Sequence, residues 1–291
     1  MKETLQITKE REVLSLVTGV TYAIVPTWYG GTYKDLKMDL IIPKNRENHP
    51  LCPAVVWICG GAFLVMDRSI WMPEMMFYAE KGYVVACVDY RTSNEVAFPA
   101  QLEDVKAAVR FLKAHAQQFC IDPDHIFVMG ESAGGALAAL TGVTGGRKEF
   151  DVGDYLSFDS TVCGVVSYYG ASAAGNDTPI CRPHPNVPDW IMQALLGTAY
   201  TEKEYQRFSA YSYLDDSNIP PFLLLHGESD SLVPREQSDQ LYEALAERQI
   251  PVDYIVVRNA EHGDDLLYQT PVKERILAFM NRVCYHITGT D

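Results

Sequence analysis

Four short, unbroken apolar runs constrain this chain most: Ala54–Ile58, Val84–Val88, Ile126–Met129 and Phe222–Leu225. Runs of this length without polar alternation suit strands buried on both faces, as in a parallel sheet. Helical patterns separate them. From Leu102 to Ala116, apolar residues at 105, 108, 109, 112 and 116 share one helical face. Glu103 and Asp104 stand in its first turn and Lys113 near its end, which suits the helix dipole. Ser238–Arg248 and Val272–Tyr285 read the same way. Strands alternating with helices predict an α/β fold with a mostly parallel central sheet and helices on both faces. The N-terminal part reads as strands. Leu36–Ile42 alternates before Pro43 ends it, so an antiparallel addition to the sheet is expected there.

A chain of 291 residues fits one such domain, spanning 1–291. The stretch at about 170–220 breaks the alternation with glycines, prolines and Trp190, and has one short helical pattern at Ile191–Leu196. It is expected to form a lid or cap insertion over the site.

Gly130-Glu131-Ser132-Ala133-Gly134 follows the third apolar run and precedes the helix-forming Gly135–Leu140. G-x-S-x-G between a buried strand and a helix is the context of a nucleophile elbow. The sharp turn exposes the serine hydroxyl, and glycines two residues either side avoid collision. Ser132 is the expected nucleophile, and the amide of Ala133 an expected oxyanion donor.

Around this motif stand Ile121-Asp122-Pro123-Asp124-His125, Asp89-Tyr90-Arg91 and Phe98-Pro99-Ala100. Together they resemble the esterase/lipase branch of the α/β-hydrolases. That branch includes hormone-sensitive-lipase-like esterases, kynurenine formamidases, and acetyl xylan and feruloyl esterases. The likeness covers roughly residues 50–290 and implies an α/β-hydrolase fold. Cys59-Gly60-Gly61-Ala62-Phe63 is similar to the branch's His-Gly-Gly-Gly/Ala-Phe/Trp loop, which implies oxyanion donors at Gly61 and Ala62. Cys59 departs from the usual histidine, whose hydrogen bonds brace that loop. His226-Gly227-Glu228-Ser229-Asp230 resembles the motif whose aspartate is the triad acid, which implies Asp230. Asn259-Ala260-Glu261-His262-Gly263 resembles the loop carrying the catalytic histidine, which implies His262. Serine, acid, histidine is the chain order of this fold. His226 is read as a structural residue at a strand end.

The resemblance implies a serine carboxylic ester hydrolase with an acyl-enzyme intermediate. Acetyl or feruloyl esters of plant oligosaccharides, or other short acyl esters, are its expected substrates. An amide hydrolase, such as a kynurenine formamidase or a peptidase, is the competing enzymatic reading. A non-catalytic binding protein on the same fold typically lacks a triad member, whereas all three positions are filled here. Phe63, Trp71, Trp190 and Met192 are the expected substrate-pocket residues, with core packing as their alternative role.

A formal net charge of −14 without a basic stripe argues against nucleic-acid binding. No apolar run approaches the roughly 20 residues of a membrane span. Met1–Leu5 lacks an apolar signal core, so a cytoplasmic protein is expected. Seven cysteines, an odd number without CxxC spacing, read as free thiols. The remaining histidines show no metal spacing, so neither metal nor cofactor is expected. The oligomeric state is left open, with a homo-oligomer among the alternatives.

Overall fold

The computed structural model describes residues 1–172 and 190–285. Its sheet has eight strands: β1 (Leu14–Thr27), β2 (Thr32–Pro43), β3 (Cys52–Ile58), β4 (Val84–Val88), β5 (Ile121–Glu131), β6 (Gly164–Tyr168), β7 (Phe222–Gly227) and β8 (Val252–Val257). Their spatial order is β1-β2-β4-β3-β5-β6-β7-β8. β1 and β2 are antiparallel, as is β2 against β4, and every later pairing is parallel. The mostly parallel sheet is the one that the apolar runs predict, and its order agrees with the α/β-hydrolase fold that the resemblance implies.

The helices are α1 (Met72–Glu80), α2 (Ala100–Ala114), α3 (Ala116–Phe119), α4 (Ala133–Val143), α5 (Trp190–Leu196), α6 (Glu202–Phe208), α7 (Glu236–Glu247) and α8 (Thr270–Tyr285). The pleat of the strands decides which helix each residue meets. On β3, Ala54, Val56 and Ile58 join the core that α2, α4 and α7 cover. Val55 and Trp57 point the other way, into the core covered by α1 and α8. Both faces are buried, which is why these strands read as unbroken apolar runs.

The sequence reading does not give β6 or α6. β6 holds Val165-Val166-Ser167-Tyr168, an apolar run interrupted by Ser167, which donates to the Gly135 carbonyl at 3.0 Å. α6 lies inside the expected insertion and opens with a capping box between Thr201 and Glu204. Of the insertion expected at 170–220, residues 173–189 lie outside the described residues. Its described part packs on the domain core through Met192, Leu195 and Phe208. The segment Met72–Met76 is the start of α1; Met75 is buried against the sheet while Met76 is exposed.

Candidate active site

The parallel strands deliver four loops to their carboxyl ends, where ligands bind in open α/β sheets. β5 delivers Ser132. It has φ 55° and ψ −118°, between the end of β5 and the first turn of α4. Its amide donates to the Tyr168 carbonyl at 3.0 Å, and its own carbonyl accepts from Ala136 N at 3.0 Å. The flanking glycines are steric necessities. A Cβ on Gly134 would penetrate the Ile58 carbonyl, and one on Gly130 the backbone of Gly134. A positive φ at a serine is a strained state that the surrounding packing holds in place.

β8 leads to His262 and β7 to Asp230. His262 Nε2 lies 3.0 Å from Ser132 Oγ, and Nδ1 lies 2.8 Å from Asp230 Oδ2. An ionised carboxylate only accepts, so Nδ1 carries the imidazole proton and Nε2 is left to accept from the serine hydroxyl. Asp230 is 2% exposed. Its Oδ1 accepts from the amides of Leu232 at 2.9 Å and Val233 at 2.8 Å. Burial alone would raise the Asp230 carboxyl, but hydrogen bonds from His226 and His262 outweigh it and hold the group well below the ordinary range.

His226 is fully buried and has a closer role than a strand end requires. Its Nε2 lies 3.1 Å from the Val233 carbonyl and 3.2 Å from Asp230 Oδ2. A carbonyl only accepts, so Nε2 bears hydrogen and Nδ1 accepts from Ser238 Oγ at 2.7 Å. Glu228, two residues before Asp230, accepts from the Asn259 amide at 3.2 Å. Asp264 caps the short turn after the histidine loop, accepting from Leu266 N at 2.8 Å.

β3 leads into Gly60-Gly61-Ala62-Phe63. Gly61 has φ +126°, and a Cβ there would strike the Val65 carbonyl. Ala62 and Phe63 follow with φ of 55° and 62°. Three consecutive residues in this region turn the backbone sharply over the serine loop. Neighbours tie the loop down. Tyr90 Oη donates to the Cys59 carbonyl at 2.9 Å, the Ser93 amide to Phe63 O at 2.7 Å, and Asn94 Nδ2 to Leu64 O at 2.8 Å. Arg68 bridges Asp39 and Asp89, each at 2.9 Å. These contacts explain Asp89-Tyr90-Arg91 in physical terms. Asp89 and Tyr90 hold the loop, while Arg91 pairs with buried Asp104 at 2.7 Å and anchors α2. The amides of Gly61, Ala62 and Ala133 make no hydrogen bond among the described residues.

Sequence reasoning missed Glu131. The residue is 8% exposed, and its Oε1 accepts from the Gly60 amide at 2.5 Å and from Trp71 Nε1 at 3.3 Å. Burial pushes the Glu131 carboxyl up, against the opposing Gly60 amide. The signal was present: a charged residue inside an otherwise apolar strand end needs a partner when buried.

The expected pocket residues divide. Phe63 is buried and meets Phe208 edge-on at 5.6 Å. Met192 is buried in the same core. The Trp71 ring is stacked on Tyr268 at 4.2 Å and edge-on to Trp57 at 6.1 Å. Trp190 begins α5, and its side chain lies outside the described residues.

The BD-FAE family model matches residues 38–245. The chain belongs to the BD-FAE family. This family falls in the esterase/lipase group of the α/β-hydrolases. The chain is similar to "Esterase LipC" of Mycobacterium tuberculosis, 30% identical over 260 residues, or 86% of this chain and 64% of that protein. It is also similar to a solved truncated form of a carbohydrate esterase from gut microbiota. That likeness is 26% identical with a TM-score of 0.76, covering 95% of this chain and 98% of the other. A bifunctional GH43-CE protein of Bacteroides eggerthii is 28% identical with a TM-score of 0.77, over 92% of this chain and 38% of that one. The chain spans 54 to 64% of the length of the curated relatives it matches first. Among the described residues, no helix of this BD-FAE member is long and apolar enough to cross a membrane.

Proposed function

We propose that this chain is a carboxylic ester hydrolase acting through a Ser132 acyl-enzyme, with Asp230 and His262 completing a triad. One observation carries the reading: Ser132 Oγ, His262 and Asp230 are aligned in sequence at 3.0 and 2.8 Å. His262 Nε2 takes the hydroxyl proton as Ser132 Oγ attacks the ester carbonyl, and Asp230 holds the imidazole in the receptive tautomer. The tetrahedral oxyanion is placed on the amides of Gly61, Ala62 and Ala133, each donor contributing a few kcal/mol. His262 then returns its proton to the leaving alcohol, and water repeats the sequence on the acyl-enzyme. For substrate we propose short acyl esters, acetyl or feruloyl, borne on oligosaccharides. The likeness to the solved carbohydrate esterase from gut microbiota supports that choice.

A panel of p-nitrophenyl acetate, acetylated xylo-oligosaccharides, methyl ferulate and N-formylkynurenine tests both levels. Turnover of the esters with loss of activity in Ser132→Ala is the expected result. Preference for the formamide would move the reading to an amide hydrolase. A folded wild type inert to every ester would overturn it.

A further inference from the structure

We infer that Glu131 is the positioning residue of the oxyanion loop, doing the bracing that a histidine at position 59 would do. This inference rests on the ester-hydrolase reading above. The loop begins on Cys59, whose thiol is 3.9 Å from Glu131 Oε1 and is a weak donor. The strong contact is one residue on, where the Gly60 N–H donates to the same oxygen at 2.5 Å. Charge-assisted bonds of this kind are roughly twice as strong as neutral ones. A Cβ on Gly60 would overlap the carboxylate itself, so the glycine permits the approach.

Glu131 adjoins Ser132 and reaches two other segments directly, with a third, at Tyr169, linked through Tyr268. Gly60 belongs to the oxyanion loop. Trp71, at the far end of the segment after that loop, donates its indole N–H at 3.3 Å. Tyr169, after β6, pairs with the Tyr268 hydroxyl. Tyr169 in turn packs edge-on against the His262 ring at 4.6 Å, and Tyr268 stacks on Trp71. One carboxylate therefore ties the loop that receives the oxyanion to the ring beside the base. With the Gly60 amide committed to Glu131, the following two amides are left for the oxyanion. Such preorganised donors stabilise charge without reorganising at the moment of reaction.

The test compares Glu131→Ala, Glu131→Gln and Trp71→Phe with Lys106→Met, a buried substitution remote from the site. Two readouts are used: steady-state kinetics on p-nitrophenyl acetate, and backbone hydrogen exchange of the peptide covering residues 59–65. Glu131→Ala should lower kcat about 100-fold with KM within about threefold, the pattern of a contact made in the transition state. Exchange at 59–65 should quicken while α8 stays protected. Glu131→Gln keeps an acceptor for Gly60 and should recover kcat to within about tenfold of wild type. Trp71→Phe should lose several-fold. Lys106→Met should melt earlier with unchanged kcat and exchange at 59–65. Unchanged exchange in Glu131→Ala, or a rise in KM alone, would overturn the inference. If Glu131→Ala fails to fold, Glu131→Gln and Trp71→Phe decide it, and wild-type kcat with wild-type exchange in both overturns it. A wild type without esterase activity sinks the functional reading, and the exchange measurement still decides the brace.

Discussion

His226 Nε2 approaches Asp230 Oδ2 at 3.2 Å, from the end of β7, the strand whose following loop presents Asp230 to His262. Two imidazoles thus converge on one carboxylate oxygen, and the backbone amides of Leu232 and Val233 hold the other.

Replacing His226 by leucine should remove one donor from Asp230 and leave the Ser238 hydroxyl and Val233 carbonyl unpaired in the core. A loss of about 2–3 kcal/mol in urea unfolding is expected, because orphaned buried polar groups lose their full solvation. kcat should fall by less than about tenfold, since the His262 bond to Asp230 survives. A kcat loss equal to that of Asp230→Asn would mean that His226 acts in the reaction itself.

Asp230→Asn presents an amide N–H or carbonyl to His262 and no longer selects the tautomer that accepts from Ser132. By analogy with serine proteases, kcat should drop on the order of 10³–10⁴ with KM little changed. The depressed carboxyl also sets a stability window. Its folded-state affinity for protons is below the unfolded one, so its stabilisation is complete above about pH 4 and disappears as pH falls further. Acid unfolding followed by circular dichroism should show a shallower decline below pH 4 in Asp230→Asn than in wild type.

Gly134→Ala would drive a methyl group into the Ile58 carbonyl, a backbone atom that cannot step aside. A destabilisation of about 3 kcal/mol or more is expected, with esterase activity lost alongside. Wild-type melting behaviour would mean that α4 can step back from β3 without cost.

Lys106 is wholly buried, and its ammonium donates to the carbonyls of Thr144 at 2.6 Å and Arg147 at 3.0 Å, just after α4. Lys106→Met should cost about 2–3 kcal/mol by stranding those carbonyls. Burial pushes the amine down to about 8, against the opposing Asp151. The folded state therefore releases a proton that the unfolded chain retains up to about 10.5. Unfolding takes up that proton between these values, so wild type gains stability relative to Lys106→Met as pH rises from 8 to 10. Paired denaturation curves at pH 7, 8.5 and 10 check the sign.

Burial, with Glu131 beside it, pushes the Cys59 thiol up to about 11, so the thiolate is scarce at neutral pH. Iodoacetamide at pH 7.5 should leave Cys59 unmodified in the native protein and activity unchanged, with labelling appearing in urea. Mass mapping of the peptide reads the outcome directly. Rapid native labelling with loss of activity would instead mark Cys59 as a reacting group.

Much of this was legible because it is local. Apolar runs announced β3, β4, β5 and β7, since a strand buried on both faces has no polar alternation to show. The elbow declared itself because the glycines at 130 and 134 answer a steric demand within five residues. β6 was harder, since Ser167 and paired tyrosines interrupt its apolar character. Trp71 reads in the sequence as either a pocket residue or core packing, and its indole is engaged by Tyr268, Trp57 and Glu131. An aromatic residue after a loop has the same appearance in sequence whether it faces a ligand or braces a carboxylate.

The sequence by itself determined the order of elements, the parallel sheet and the residue types that reach its carboxyl edge. Those follow from periodicity and backbone sterics, which act between near neighbours. Only the tertiary structure decided that His226 shares Asp230 with His262, and that Glu131 takes the Gly60 amide where Cys59 gives only a weak contact. These pairings join positions 4 to 71 residues apart. They depend on angles and distances of a few tenths of an ångström, which the packing of β3 against β5 and of β7 against β8 imposes.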